Sequence, residues 1–286
     1  MAFTLFNLLM KSYERLGQLK TSVATGGGTT TVVDSTQTTA RNARFSNDKR
    51  DGVIFIPRTT DGLAPEGEYA LISAFAPATG TYTFATLTAA VGAGDIYSWA
   101  GKLYPLYTMV ELANSALQDI GDIPTVDTTT LDTDTGDTEY AVAVDWKRRV
   151  VRVWYQTNAD SNDNQWSEFH NWEQVTAAPG VAGKLILSNY PASGSKDIKV
   201  EYLGPHPELS VCTSVISEGV DPELVVRSLT AKASAWRNRK LQGSDPMAIQ
   251  FENKFESEYD ARKRTHPAPR PEKKSKLFIF GDPSDW

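Results

Sequence analysis

The chain has 286 residues with 29 Lys/Arg against 35 Asp/Glu, a net charge of −6, and an apolar fraction of 40%. That is enough to build one large core or two ordinary ones, and it argues against a general DNA-binding protein. The single cysteine, Cys212, excludes an internal disulfide and a cysteine zinc site and fits a reducing compartment, and no apolar run is long enough to cross a membrane.

Residues 3–16 read as a helix, with Leu5, Leu9 and Leu16 on one face, Tyr13 nearby and Gly17 as its stop. No basic residue precedes this apolar stretch and no small-residue cleavage site follows it, so a helix is expected rather than a leader peptide. Thr21 to Thr39 is rich in Thr, Ser and Gly and carries Gly26-Gly27-Gly28. It reads as an extended arm, with one short β-prone stretch at Thr29, Thr30, Thr31, Val32 and Val33.

From about 52 to 99 the pattern is β. Gly52–Pro57 is a short strand carrying Val53, Ile54, Phe55 and Ile56. Glu68–Phe75 and Thr81–Leu87 alternate around Pro77-Ala78-Thr79-Gly80 and should form a hairpin, and Ile96–Trp99 adds a fourth strand. A second helix follows over Pro105–Ile120, with Leu106, Met109, Val110, Ala113, Leu117 and Ile120 as its stripe and Gly121 at its end. Residues 122–136 are acidic, Thr-rich and aperiodic, and read as a linker.

Alternation returns at Tyr140-Val142-Val144-Trp146 and at Val151-Val153-Tyr155. Lys184–Leu187 and Ile198-Val200-Tyr202 give two more strands, and the spacing predicts a compact β-sandwich. Trp166, Phe169 and Trp172 fall between its strands, either as cover for an open core edge or as an aromatic platform for a sugar.

Two helices close the folded part, each opened by Asp-Pro: Asp221-Pro222 and Asp245-Pro246. Asp at the cap accepts from free backbone N–H groups, and Pro at the first position has none to leave unpaired. Val225, Leu229, Ala233 and Trp236 mark one stripe, Ala248, Phe251, Phe255 and Tyr259 the other, and Gly243 lies between them. Pro267, Pro269 and Pro271 then lead to an apolar tip, Phe278, Ile279 and Phe280, and to Trp286. Residues 222–276 hold 13 Lys/Arg against 7 Asp/Glu, so the basic charge is concentrated late in the chain.

The expected fold class is α+β. The N-terminal, middle and C-terminal helices form a small bundle (1–121 and 204–266) with a β excursion at about 52–99. A β-sandwich is inserted at 122–203, and 267–286 is an extended tail.

No catalytic, cofactor or metal constellation stands out. His170, His206 and His266 have no metal-ligand spacing, and Gly101-Lys102-Leu103 lacks the glycines of a phosphate loop. Asp132-x-Asp134-x-Gly136 and Asp160-x-Asn162-x-Asn164 resemble calcium loops only in part. A carboxylate pair such as Asp160 and Glu168 carries almost no signal for a glycan hydrolase in so acidic a chain.

Several stretches together resemble tailed-bacteriophage neck proteins. They are Thr25 to Ser35 after the first helix, then Ala64-Pro65-Glu66-Gly67-Glu68, Leu71-Ile72, Thr79-Gly80 and Gly94-Asp95-Ile96-Tyr97. The late pair, with Ala231, Ala233 and Ala235 before Arg237-Asn238-Arg239 and then Phe251 to Arg264, is similar to the C-terminal helices of head-to-tail adaptor proteins. The resemblance implies a structural virion protein, not an enzyme: a connector subunit in a ring, often of twelve copies, between portal and tail. Double-stranded DNA would pass through without specific binding, and no membrane would be involved. The arm at Thr29–Val33 and Phe278, Ile279, Phe280 and Trp286 would then make assembly contacts. The rival reading is a tail-fibre or baseplate component whose sandwich holds carbohydrate through Trp166, Phe169 and Trp172.

Overall fold

The computed structural model describes residues 2–38, 49–132, 139–141, 149–156, 166–175, 183–188 and 197–266. The fold is α+β and divides into two compact units, Met1–Asp122 with Pro205–Ala268, and Ile123–Gly204 with Pro269–Trp286.

The first unit opens with α1 (Leu5–Arg15), capped by the Thr4 side chain and followed by Gly17 at φ +67°. Seven strands follow: β1 (Lys20–Val23), β2 (Gly26–Gly27), β3 (Thr31–Val33), β4 (Val53–Arg58), β5 (Glu68–Ala76), β6 (Thr81–Phe84) and β7 (Ile96–Ala100). Their order is β1-β7-β4-β5-β6-β3-β2. The first and last strands of that order are consecutive in the chain, separated only by Ala24 and Thr25. Ala24 N–H donates to Asp95 O at 2.8 Å, and Thr25 N–H donates to Val33 O at 2.7 Å, so the ladder continues through both residues. One bent segment therefore pairs with β7 at its start and β3 at its end, and the sheet closes into a barrel through that segment.

This closure corrects two expectations. The Thr/Gly stretch is not a free arm, because β1, β2 and β3 belong to the chain's own barrel and Val32 is fully buried. The sheet accordingly has seven strands rather than four. Glycine and threonine without apolar alternation read as flexible, but a two-strand crossover in a small barrel needs close backbone approach more than it needs side-chain bulk.

The β5–β6 hairpin forms as expected, and its Gly80 serves both strands. It sits at φ +65°, and a Cβ there would lie 1.9 Å from the Asp34 carbonyl oxygen, whose own residue donates its N–H to Gly80 O at 3.0 Å. Inside the barrel lie Val32, Ile54, Ile56, Ile72, Tyr82, Phe84 and Tyr97. All four of Val53, Ile54, Phe55 and Ile56 are buried because β4 is covered on both faces. Ile54 and Ile56 face the barrel interior. Phe55 faces α1, meeting Phe6 and Tyr13 edge-on at 5.7 Å between ring centroids.

α2 (Leu106–Ile120) buries Leu106, Met109, Ala113, Ala116 and Leu117, and Gly121 ends it at φ +95°. After the second unit, the segment 205–221 is tied down by side-chain clamps. Asn114 takes the Leu209 N–H and returns a bond to Leu209 O, at 2.8 and 3.0 Å. His206 Nε2 accepts from Ser217 N–H at 2.9 Å, which leaves Nδ1–H to donate to Pro207 O at 2.7 Å. The segment then pairs with the start of the chain through the Thr4–Val215 bridge.

α3 (Pro222–Lys240) and α4 (Pro246–Thr265) form the expected hairpin, each capped by its Asp. α3 packs against α1, α2 and α4, and buries Val225, Leu229 and Ala233. The stripe expected on α4 is only partly covered: Ala248 and Phe255 are buried, but Phe251 is 43% exposed.

In the second unit, β8 (Ile123–Asp132), β10 (Arg149–Gln156), β11 (Trp166–Phe169) and β14 (Asp197–Gly204) form one antiparallel sheet in the order β11-β10-β14-β8. β9 (Glu139–Ala141), β12 (Trp172–Val175) and β13 (Lys184–Leu187) form the other, in the order β12-β13-β9. Val150, Val153, Phe169, Ile198 and Val200 from the first sheet meet Tyr140, Leu185 and Leu187 from the second, as in a sandwich.

Three corrections follow. The expected linker at 122–136 begins as the long strand β8, with Ile123 opposite Gly204; threonines supplied the β-branched character, and β14 supplied the partner. In β10 a bulge between Val150 and Arg152 puts Val150 and Val153 in the core and leaves Val151 half-buried. Trp166, Phe169 and Trp172 lie on β11 and β12, not between strands. The expected strand residues Val142, Val144 and Trp146 lie outside the described residues.

Two stability measurements check this account. Gly80→Ala should lower unfolding stability by more than about 1 kcal/mol, since it combines a left-handed φ with a backbone collision. Asp221→Ala should cost about 1–2 kcal/mol through loss of the α3 cap, and Asp221→Asn, which keeps a capping oxygen, should cost less. Urea unfolding midpoints compare all three.

Candidate functional site

The barrel end holds a buried charged cluster that sequence reading missed. Asp34, fully buried, caps the short 3₁₀ turn Ser35–Gln37. Its Oδ1 accepts from Thr36 N–H at 2.9 Å and from Thr36 Oγ1–H at 2.5 Å. Its Oδ2 accepts from Ser22 Oγ–H at 2.6 Å and from the Tyr97 hydroxyl at 2.7 Å. Burial would raise the Asp34 carboxyl, but the bonds from Ser22, Thr36 and Tyr97 outweigh it and hold the group below the ordinary carboxylate range. The Tyr97 hydroxyl is pushed up, first by burial and then by Tyr82 and Asp34.

Beside it, Lys49 is 1% exposed. Its ammonium sits 3.6 Å from the Phe75 ring centroid, 4.9 Å from Trp99 and 5.0 Å from Tyr82. It also donates to Gln37 Oε1 at 3.4 Å. The ring faces attract the cation through their quadrupoles. Burial, reinforced by Lys20, nonetheless pushes the Lys49 pKa down to about 8. Both Asp34 carboxylate oxygens and the three rings around Lys49 engage other parts of the barrel, so the arrangement suits a lock at the barrel end. The sequence offered little to find it by, because Asp34 and Lys49 both precede the β region at about 52–99 and the stretch between them, 35–48, is largely polar.

The second feature is the exposed side of the helical hairpin. Of the 20 residues of α4, only Ala248 and Phe255 are buried. The helix is held instead by ion pairs. Arg15 of α1 bridges Glu223 of α3, at 2.9 Å, and Glu258 of α4. Arg262 of α4 returns to the α3 cap Asp221 at 2.7 Å. Burial tends to raise the Asp221 carboxyl, and the bonds from Arg262 and Glu223 N–H lower it further than burial raises it. Beside these pairs, a cavity of about 320 Å3 opens between the end of α1, Tyr104, α3 and α4. Its walls include Tyr104, Arg237, Phe251 and Phe255, and the Arg237 guanidinium lies 5.9 Å from the Tyr104 ring.

The remaining expected site residues are dispersed. Thr31–Val33 is part of the barrel wall as β3, and Thr29 and Thr30 lie in the exposed bend that leads into it. Phe169 is buried in the sandwich core and Trp172 packs against that core, in the opposite sheet. Trp166 points to the other face of β11 from Phe169, where Lys199 Nζ lies 5.7 Å from its ring and 4.9 Å from that of Trp154. The three aromatics therefore do not form one platform. Phe278, Ile279, Phe280, Trp286 and most of both acidic loops lie outside the described residues. Among the described residues no cluster of three His, Cys, Asp or Glu side chains could hold a metal ion, and no helix is long and apolar enough to cross a membrane.

The Lys49 environment yields a pH test. With the folded pKa depressed to about 8 from 10.5, the unfolded chain binds the extra proton between those values. Stability contributed by this group therefore rises as pH rises through that window. The difference in unfolding free energy between wild type and Lys49→Met should shift in favour of wild type across it, as measured by urea unfolding at a series of pH values.

No protein-family model matches the chain, and no curated protein matches it.

Proposed function

We propose that the chain is a structural subunit of the head-to-tail connector of a tailed bacteriophage, an adaptor or neck protein forming a ring between portal and tail. The observation that carries this reading is α4. A 20-residue helix that buries two side chains and leaves Met247, Ile249 and Phe251 in solvent is incompletely covered by its own chain. Covering such a face with a neighbouring subunit is what an obligate assembly does.

The charge balance supports the same reading. With a net charge of −6, the assembled ring repels the DNA that would pass through it, while the concentration of Lys/Arg in residues 222–276 leaves a basic end for an acidic neighbour. The subunit performs no covalent chemistry in this account, and its location is the neck of the virion. The tail tip, Phe278-Ile279-Phe280 with Trp286, makes contacts with the portal or a neighbour.

The reading in which the sandwich holds carbohydrate is weakened by Phe169, which fills the core rather than a surface platform.

Purified protein mixed with the portal protein should give a closed ring of defined mass, with twelve copies as the expected number. Deleting Pro267–Trp286 should leave the thermal unfolding of the remainder intact and abolish that complex. Assembly of the truncated chain at wild-type yield would refute the role given to the tail.

A further inference from the structure

We propose that the cavity between α1, α3 and α4 is filled by Tyr107 and Glu111 from α2 of a second copy of the chain. The inference rests on the connector reading in that it names a contact between identical subunits.

The cavity asks for a particular occupant. Its aromatic walls, Tyr104, Phe251 and Phe255, favour a flat apolar side chain. Arg237, at its edge, has no carboxylate partner among the described residues, and its Nε is buried without a hydrogen-bond acceptor. A carboxylate placed there would be favoured by both charge and hydrogen bonding. The volume, about 320 Å3, lies near the lower end of functional pockets. At the mouth, Phe251 is 43% exposed, and Met247, one helical turn earlier, is 56% exposed. These surfaces remain in water unless something covers them.

The same chain carries the matching knob. Tyr107 is 72% exposed, more than any other large apolar side chain among the described residues, although its helix has a well-buried stripe on the opposite side. One turn on, Glu111 is exposed and has no ion-pair partner among the described residues. Residues four apart share a helix face, so the phenol and the carboxylate are presented together. Asp119 of α2 is already paired with Lys232 of α3 at 2.6 Å, which leaves Glu111 as the unpaired charge of α2, whereas Arg237, Arg239 and Lys240 in the last turn of α3 have no ion-pair partner among the described residues. An acidic helix bearing an aromatic knob thus meets a basic, aromatic-walled hole, and each copy offers both.

The test is self-association of the full chain, followed by native mass measurement and sedimentation over a concentration series. Wild type is compared with Tyr107→Ala, Glu111→Arg, Arg237→Glu and the Glu111→Arg/Arg237→Glu pair. Each single substitution should weaken self-association at least about tenfold, the size expected for a buried aromatic or charged anchor. The charge-swapped pair should restore most of it. Thermal unfolding guards against trivial misfolding, and Tyr107 and Glu111, being exposed, should leave it unchanged. Rings that form normally with all three single substitutions would overturn this contact and leave the connector reading standing. Failure of the swapped pair to recover would also overturn it. Loss of portal binding by Arg237→Glu with self-association intact would assign the cavity to the portal instead. A wild-type chain that stays monomeric at every concentration, with or without portal, would overturn both readings.

Discussion

The first unit depends on one apolar contact, the burial of Val225, Leu229 and Ala233 of α3 among helices formed much earlier in the chain. α1 and α2 each carry a stripe that neither can cover alone, and short helices in water are marginal without such cover. α3 supplies it, but only after the chain has left the unit and come back. That return constrains everything between. Ile123 and Gly204 lie opposite each other in the β8–β14 ladder, so the second unit begins and ends at adjacent points and its excursion leaves the helices free to close. The contact is non-local and costs loop-closure entropy, which the clamps at Asn114 and His206 help to offset by ordering the returning segment.

The barrel shows how a small closed sheet tolerates charge in its interior. A carboxylate accepting four bonds and an ammonium enclosed by three aromatic rings satisfy each other's surroundings rather than pairing directly. Polar groups buried in this way are expensive to leave unpaired, so they favour a single arrangement of the strands that carry them. Ser22 on β1, Asp34 after β3, Tyr97 on β7 and Lys49 before β4 come from four separate stretches. The network therefore joins strands that are distant in sequence at the place where the barrel closes.

The helical hairpin has the opposite character. α4 is positioned by Arg15, Asp221, Glu223, Glu258 and Arg262, all partly exposed, rather than by a broad apolar seam. Exposed ion pairs each contribute little stability, yet a connected set of them fixes direction. A helix held in this way is oriented without being covered. That combination, an oriented helix with apolar side chains still in water, supports a role in assembly more than any single residue does.

Much of the local structure was legible in the sequence, because it depends on neighbours in the chain. Asp-Pro at the starts of α3 and α4, Gly17, Gly121 and Gly243 at helix ends, and the Gly80 hairpin all act within a few residues of themselves. The α+β class and the sandwich strands at Lys184–Leu187 and Asp197–Gly204 followed from periodicity for the same reason. What tertiary structure decided was every choice that needed a distant partner. Thr31–Val33 became a barrel strand because β6 and β2 flank it, and Ile123–Asp132 became a strand because β14 lies beside it. Phe169 became core because the opposing sheet covers it. Asp34 and Lys49 became a site only when four separate segments met, an event that no window along the chain contains. Phe251 shows the reverse case: its spacing marked it for burial, but the space beside it is not filled by any neighbour that its own helical unit supplies.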